Sequence, residues 1–345
     1  MAKRTLATIY RPKTFDDMTE QESIKVILNE QLATETIKNC YLFTGPAGCG
    51  KTTSARIFAN EINKGVGNPI EMDAASHSSV EDVRAIIQQA KTKSLESEYK
   101  VFIVDECHAI SNTGWQAFLK LIEEPPAKSI FIFCTTDPQK IPNTILSRVQ
   151  RYDFQKISSK GLFDRLVHII ACENEEDAHI TYTDEALQYV CKLAEGGMRD
   201  CITLLDKCIS YDKNITLKSV ITALGAVNYD IQFDLTFSFI DKSVKDIIAI
   251  IEDVHADGKD LKQFTKNYLS FVLDINKYSV SKSFKYLDIP PTDDYTKVLQ
   301  NMTEEEFDIC NKLLDILLDI NNIIKYESFP KPIIEACLLK GVKEC

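Results

Sequence analysis

Gly45-Pro46-Ala47-Gly48-Cys49-Gly50-Lys51-Thr52 matches the pattern G-x-x-x-x-G-K-[ST] at every fixed position. These residue types in this order make a phosphate cradle. Glycines let successive backbone N–H groups turn into one concavity. A helix starting where the motif ends adds the positive end of its dipole. Lys51 has the reach to neutralise outer phosphates, the Thr52 hydroxyl is a hard oxygen ligand for Mg²⁺, and Thr53 follows it. Downstream, Val101-Phe102-Ile103-Val104-Asp105-Glu106 is an apolar run that ends in two acids. Open α/β sheets bind ligands at the carboxyl ends of their strands, so Asp105 can hold Mg²⁺ through water and Glu106 can orient or deprotonate an attacking water. Alone, the two acids would read as solvated residues at a strand end. Paired with the glycine motif, they read as the second half of a nucleoside-triphosphate site. Phosphoryl transfer further needs donors for charge developing on the γ-phosphate. Thr135, Thr136, Arg148 and Arg199 are candidates, although on spacing alone each arginine reads first as a surface salt-bridge partner. His108 reads as a neighbour of the acids rather than as a catalyst.

These residues need a sheet behind them. Tyr41-Leu42-Phe43-Thr44, Val101–Val104 and Ile130–Phe133 are short runs apolar on both faces, separated by helical periods such as Ala55, Phe58, Ala59 and Ile62. That pattern predicts a parallel sheet covered by helices on both sides. From Ser158 to Leu224 the pattern is wholly helical. Thr183 or Asp184 caps a helix to Ala194, Gly196-Gly197 breaks it, and a second helix runs through Arg199, Leu205 and Ile209. The remainder is helical again, with Phe264, Leu269, Val272 and Leu273 on one face and Leu313, Leu314, Leu317 and Leu318 on another, and with a loop at Pro290-Pro291-Thr292-Asp293-Asp294. The expected organisation is an α/β P-loop domain over 1–157, a small helical lid over 158–226 and an all-α domain over 227–345. There is no internal repeat.

With 345 residues the chain is long enough for two or three domains. No apolar run reaches the length of a membrane span, and Met1 to Tyr10 has no apolar signal core. The cytoplasm is the default. The eleven cysteines include no Cys-x-x-Cys pair, which suits free thiols in a reducing compartment and gives no reason to expect zinc. The net charge of -11 argues against a non-specific nucleic-acid coat, so any DNA contact would be local.

The order of motifs resembles the clamp-loader AAA+ ATPases, above all the gamma/tau subunits of bacterial DNA polymerase III. The resemblance rests on Tyr10-Arg11-Pro12-Lys13-Thr14-Phe15-Asp16-Asp17, the P-loop (Walker A), Glu71-Met72-Asp73-Ala74-Ala75-Ser76, the Walker B run Val104-Asp105-Glu106-Cys107-His108, Leu119-Lys120-Leu121-Ile122-Glu123-Glu124-Pro125-Pro126, Thr135-Thr136-Asp137-Pro138-Gln139-Lys140-Ile141-Pro142, Ile145-Leu146-Ser147-Arg148 and Gly197-Met198-Arg199-Asp200. The helical remainder matches loosely, at Gly258-Lys259-Asp260-Leu261 and Pro332-Ile333-Ile334-Glu335. The resemblance implies that Tyr10, Arg11 and Pro12 line the adenine side. It implies that Thr136, or its neighbour Thr135, is sensor 1, that Arg199 is sensor 2, and that Arg148 is an arginine finger acting on a neighbouring subunit's ATP. It implies ATP and Mg²⁺ as cofactors and a helical collar in a pentameric ring. The ring partners would be delta-like and delta-prime-like subunits or copies of this chain, with a sliding clamp and primer–template DNA. DNA contact would use helix N-termini: Ser76-His77-Ser78-Ser79, where Ser78 and Glu81 have capping-box spacing, and the helix opened by Ser111-Asn112-Thr113-Gly114. Both could equally be plain helix caps.

The chain also departs from the family pattern. Only Asn63 to Pro69 lies where gamma/tau chains usually carry a four-cysteine zinc module, so the resemblance brings no zinc with it. The finger reads Ser-Arg-Val in place of Ser-Arg-Cys. The proline-rich linker and polymerase-binding tail of the long tau form are not expected. Two other readings remain. A non-catalytic structural subunit would be expected to have lost Lys51 or Thr52, and both are present. Another DNA-directed AAA+ motor, such as a branch-migration helicase, would be expected to end in a basic winged helix.

Overall fold

The computed structural model describes residues 4–344 except 78, 93, 95, 177, 225–228, 259 and 288–292. Ser78, Lys259 and Pro290-Pro291-Thr292 therefore lie outside the described residues, as does the boundary expected at 226/227. The chain divides into two compact units, Met1–Ile215 and Thr216–Cys345.

In the first unit, α1 (Leu6–Ile9) and α2 (Glu22–Ala33) precede a five-stranded sheet. The strands are β1 (Cys40–Thr44), β2 (Ile70–Asp73), β3 (Lys100–Asp105), β4 (Ser129–Thr135) and β5 (Gln150–Asp153), in the order β2-β3-β4-β1-β5, and every pairing is parallel. The connecting helices are α3 (Lys51–Ile62), α4 (Val80–Ala90), α5 (Asn112–Glu123) and α6 (Asn143–Leu146). Alternation along the strands sends side chains into two separate cores. Tyr41, Phe43, Ile130, Ile132 and Cys134 pack with Ala55 and Phe58 on one face. Leu42, Phe102, Phe131 and Phe133 pack with Trp115 and Phe118 on the other. Both β1 and β4 are buried along their whole length, as the two-sided apolar runs require.

The three predicted strands are the inner ones. Edge strands β2 (Ile70-Glu71-Met72-Asp73) and β5 (Gln150-Arg151-Tyr152-Asp153) each bury a single residue. A sheet edge needs no second apolar face, so such strands give little pattern to read.

The same unit continues through α7 (Ser159–Glu175), β6 (Thr181–Tyr182), α8 (Asp184–Leu193), α9 (Met198–Tyr211) and β7 (Asn214–Ile215). This segment is not wholly helical: β6 and β7 form a two-residue parallel pair, too short for any periodicity to register. Thr183 is the cap of α8, accepting from Ala186 N, and Gly196 at φ +90 turns the chain toward α9.

The second unit is helical throughout its described residues: α10 (Leu217–Ala223), α11 (Tyr229–Ile240), α12 (Val244–Ala256), α13 (Leu261–Ser281), α14 (Asp293–Asn301), α15 (Glu304–Ile324) and α16 (Pro330–Glu344). Its core is built by Phe264, Tyr268, Phe271, Val272 and Ile275 of α13 with Leu313, Leu317 and Ile320 of α15 and Ile334 and Leu338 of α16. The faces expected from sequence need adjustment. Leu273 and Leu318 are exposed (37% and 46%), because each lies about 100° round the helix from its buried neighbour, Val272 or Leu317. Asp293 and Asp294 begin α14 and do not belong to a loop.

Candidate functional site

Loop 45–50 leaves the end of β1 on three glycines with positive φ: Gly45 (+145), Gly48 (+71) and Gly50 (+104). Two of them also permit close backbone approach. A Cβ on Gly45 would lie 2.4 Å from the Phe154 carbonyl oxygen, and one on Gly48 would lie 3.0 Å from Gly197 Cα. The second approach lets Met198 N donate to Gly48 O at 3.0 Å. The turn before α9 is thereby bonded directly to the phosphate loop. Gly50 caps α3 without any side-chain acceptor, so the first-turn N–H groups of α3 are available to an anion.

Lys51 is 6% exposed, and its Nζ donates to Gly45 O (2.8 Å) and Pro46 O (2.7 Å). Thr52 Oγ1 donates to Asp105 Oδ2 at 2.8 Å, joining the two sequence motifs. Asp105 Oδ1 accepts from Glu106 N at 3.0 Å. The Thr52 hydroxyl and the Asp105 carboxylate both offer hard oxygens of the type Mg²⁺ takes, directly or through water.

Glu106 adopts a left-handed backbone, φ +45 and ψ +42, at the start of the 3₁₀ turn Cys107–Ala109. That conformation costs a non-glycine residue about 1–2 kcal/mol, and it turns the carboxylate toward the end of β4. There Glu106 Oε2 accepts from Thr136 Oγ1 at 3.1 Å and lies 3.2 Å from His108 Nδ1. His108 Nδ1 is also 3.1 Å from Thr135 Oγ1. Of the two threonines, Thr135 is fully buried within β4 and Thr136 faces Glu106.

A cavity of about 290 Å³ opens above the loop, lined by Ala47 to Thr53, Asp105 and Glu106, by Tyr10, Arg11 and Pro12, and by Met198, Arg199 and Asp200. Gly45 and Pro46 are not among its lining residues and instead hold Lys51 through their carbonyls. Tyr10 donates its hydroxyl to Glu173 Oε1 at 2.9 Å, and burial with that carboxylate pushes its pKa well up. Burial likewise raises the Cys49, Cys107 and Cys134 thiols, so they stay protonated beside the phosphate loop. Sequence reasoning missed Arg165. It lines the cavity from α7 and donates to Tyr10 O at 2.8 Å. Nothing in its local sequence distinguishes it from any helix-surface arginine.

Arg148 does not line this cavity. Its guanidinium bonds Thr144 O (2.8 Å) and Ser147 Oγ (3.1 Å) and pairs with Glu123 (2.9 Å), and the side chain is 40% exposed.

At the expected DNA-contact segments the caps differ from the spacing argument. The capping box of α4 is Ser79 with Asp82, one residue later than Ser78 with Glu81, because an aspartate at the third helical position closes it. Ser76 bonds Asp73, and His77 lies 3.9 Å from Asp82. The first turn of α4 also carries Glu81. Helix α5 is capped by Ser111, which accepts from Gly114 N at 3.1 Å, and Asn112 and Thr113 are exposed in a first turn without acids.

The chain aligns at 31% identity with the DNA polymerase III subunit tau of Bacillus subtilis, over 99% of this chain and 63% of that one. The chain is a homologue of the bacterial DNA polymerase III gamma/tau subunits. The tau subunit of Escherichia coli is 33% identical over 75% of this chain and 43% of its own length, and tau/gamma of Haemophilus influenzae is 35% identical over 69% and 37%. The chain thus spans less than two thirds of each of these relatives. Residues 68–158 match the family model described as DNA polymerase III, delta subunit. Among solved structures, the Thermotoga maritima RuvB Holliday junction branch migration motor aligns at TM-score 0.52 and 17% identity, over 85% of this chain and 99% of that one. That likeness shows the fold alone, an α/β P-loop architecture. No helix among the described residues is long and apolar enough to cross a membrane.

Proposed function

We propose that this gamma/tau homologue is an ATP-hydrolysing motor subunit of a sliding-clamp loader. The observation that carries the reading is the link between its two chemical motifs. The Thr52 hydroxyl and the Asp105 carboxylate meet at 2.8 Å, with Lys51 and Glu106 beside the same cavity.

Each residue has a role in this reading. Lys51 exchanges its two loop carbonyls for phosphate oxygens, a substitution of one charge-assisted set for a stronger one. Thr52 and Asp105 hold Mg²⁺, which supplies positive charge to the phosphate oxygens when bound. Glu106 orients the attacking water, with Thr136 at hydrogen-bond distance as sensor 1. Arg199 reaches the nucleotide from α9 as sensor 2, and the Met198–Gly48 bond couples that helix to the phosphate loop. Arg148, outside its own chain's cavity, acts on a neighbour's ATP, so each active site needs two subunits. Tyr10, Arg11 and Pro12 form the adenine side.

Further proposals follow from the homology. The three-part division at about residues 157 and 226 is kept, with the last part as a collar. The ring is pentameric, completed by delta-like and delta-prime-like subunits or by further copies, and it acts on a clamp and primed DNA in the cytoplasm. The DNA-contact reading is stronger for Asn112 and Thr113 of α5 than for Ser76, His77 and Ser79, because Glu81 and Asp82 oppose a phosphate at α4.

The test is steady-state ATP hydrolysis with clamp, loader partners and primer–template DNA added and omitted in turn. Strong stimulation requiring both clamp and primed DNA is expected. Hydrolysis indifferent to the clamp would point to another AAA+ DNA motor, and none in the full assembly to a structural subunit.

A further inference from the structure

His108 stands outside the motif roles above, yet it touches the residue on which hydrolysis depends. Its Nδ1 lies 3.2 Å from Glu106 Oε2 and 3.1 Å from Thr135 Oγ1. The chemistry of the partners favours one tautomer. Of the two tautomers, the one with its proton on Nδ1 sets an N–H rather than a bare lone pair beside these two oxygens. Thr135 Oγ1, which already accepts from Asp137 N at 3.0 Å, is the second oxygen within reach of that N–H. The imidazole is therefore anchored on the end of β4 through Thr135 with its Nδ1 beside Glu106, and only 22% of it is exposed.

One hydrogen bond and one close contact converge on a single oxygen of the Glu106 side chain: Thr136 Oγ1 donates to Oε2 at 3.1 Å, and His108 Nδ1 lies 3.2 Å from it. Among the described residues no hydrogen bond falls on Oε1. We propose that His108 is a positioning residue for Glu106. With Thr136 it pins Oε2 and leaves Oε1 as the oxygen that takes the water's proton. In that step the water oxygen bonds the γ-phosphorus, the bond to the β,γ-bridging oxygen breaks with its electron pair going to ADP, and one water proton passes to Oε1. The inference rests on the ATPase reading and assigns a residue that reading leaves unused. A carboxylate carried on a left-handed turn has few other restraints, and a misplacement of about 1 Å can cost about 10²-fold in rate.

The experiment compares wild type, Glu106→Gln, His108→Ala, His108→Asn and the double variant Glu106→Gln/His108→Ala. It measures ATP affinity, thermal midpoint and single-turnover hydrolysis by the full chain in the assembly described above. His108→Ala is expected to slow hydrolysis about 10- to 100-fold with ATP affinity and thermal midpoint unchanged. His108→Asn is expected to restore most of the rate, because its amide nitrogen stands where Nδ1 stands. The double variant is expected to be no slower than Glu106→Gln. A wild-type rate in His108→Ala, a loss that Asn does not rescue, or an additional loss on the Glu106→Gln background would each overturn the inference while leaving the ATPase reading intact. Undiminished hydrolysis by Glu106→Gln, or none by wild type, would overturn the reading itself and His108's role with it.

Discussion

The carboxyl ends of β1, β3 and β4 and the helical unit beginning at Thr216 are both built from strongly apolar segments, yet they constrain sequence differently. At the strand ends, single residues are tied to single partners. Gly45 cannot carry a Cβ because Phe154 O would be 2.4 Å away, and Thr52 must reach Asp105. In the second unit, α13 and α15 ask only that a face be apolar and of the right volume. Phe271 meets Phe233 and Tyr295 at ring-centroid distances of 4.8 and 5.5 Å, and many side chains could fill that space. Chemistry writes itself as residue identity and packing as periodicity.

Substitutions at the two regions should therefore separate cleanly. The largest expected effect is at Arg148. Arg148→Ala should lower turnover in the assembled ring by about 10³- to 10⁵-fold and leave ATP affinity unchanged; equal loss in an isolated chain would mean that it acts in cis. Phe271→Ala, in the second unit, should cost about 3–5 kcal/mol of stability in urea denaturation without altering ATP affinity. A loss of affinity at undiminished stability would break the contrast between the regions. Lys51→Ala should do the reverse, weakening ATP about 10- to 100-fold for the loss of one charge-assisted contact, with no drop in the denaturation midpoint. The smallest effect is at Ser79. Ser79→Ala should remove about 1 kcal/mol from the first unit, and a null result in thermal unfolding would show that the Asp82 capping box contributes nothing there.

The same contrast explains what could be read in advance. The glycine turn of loop 45–50, the meeting of Thr52 with Asp105 and the three inner strands were legible because each demands particular residue types or apolar character on both faces. Strands β2 and β5 escaped residue-level reading because each edge strand buries one side chain and leaves the rest half-buried or exposed. The α4 cap was misplaced by one residue because Ser78 and Ser79 both satisfy the cap preference, and the structure selects the serine that Asp82 can answer. Leu273 and Leu318 were assigned to buried faces because adjacent apolar residues blur a stripe that geometry keeps narrow. Nothing local could reveal Arg165 on Tyr10 O or Met198 N on Gly48 O, which join segments far apart in the chain. His108 reads from the sequence as a neighbour of the acids, but which acid and which oxygen it approaches depends on a left-handed turn at Glu106, a conformation its side chain does not advertise.

Glu106 is proposed to activate water for hydrolysis of an ATP held by Lys51, Thr52 and Asp105. This role is tested most directly by measuring ATP affinity and phosphate release in the same samples of wild type and Glu106→Gln. Equal affinity and a turnover reduced at least about 100-fold are expected, as loss of a general base entails. Phosphate release at the wild-type rate by Glu106→Gln would contradict that role.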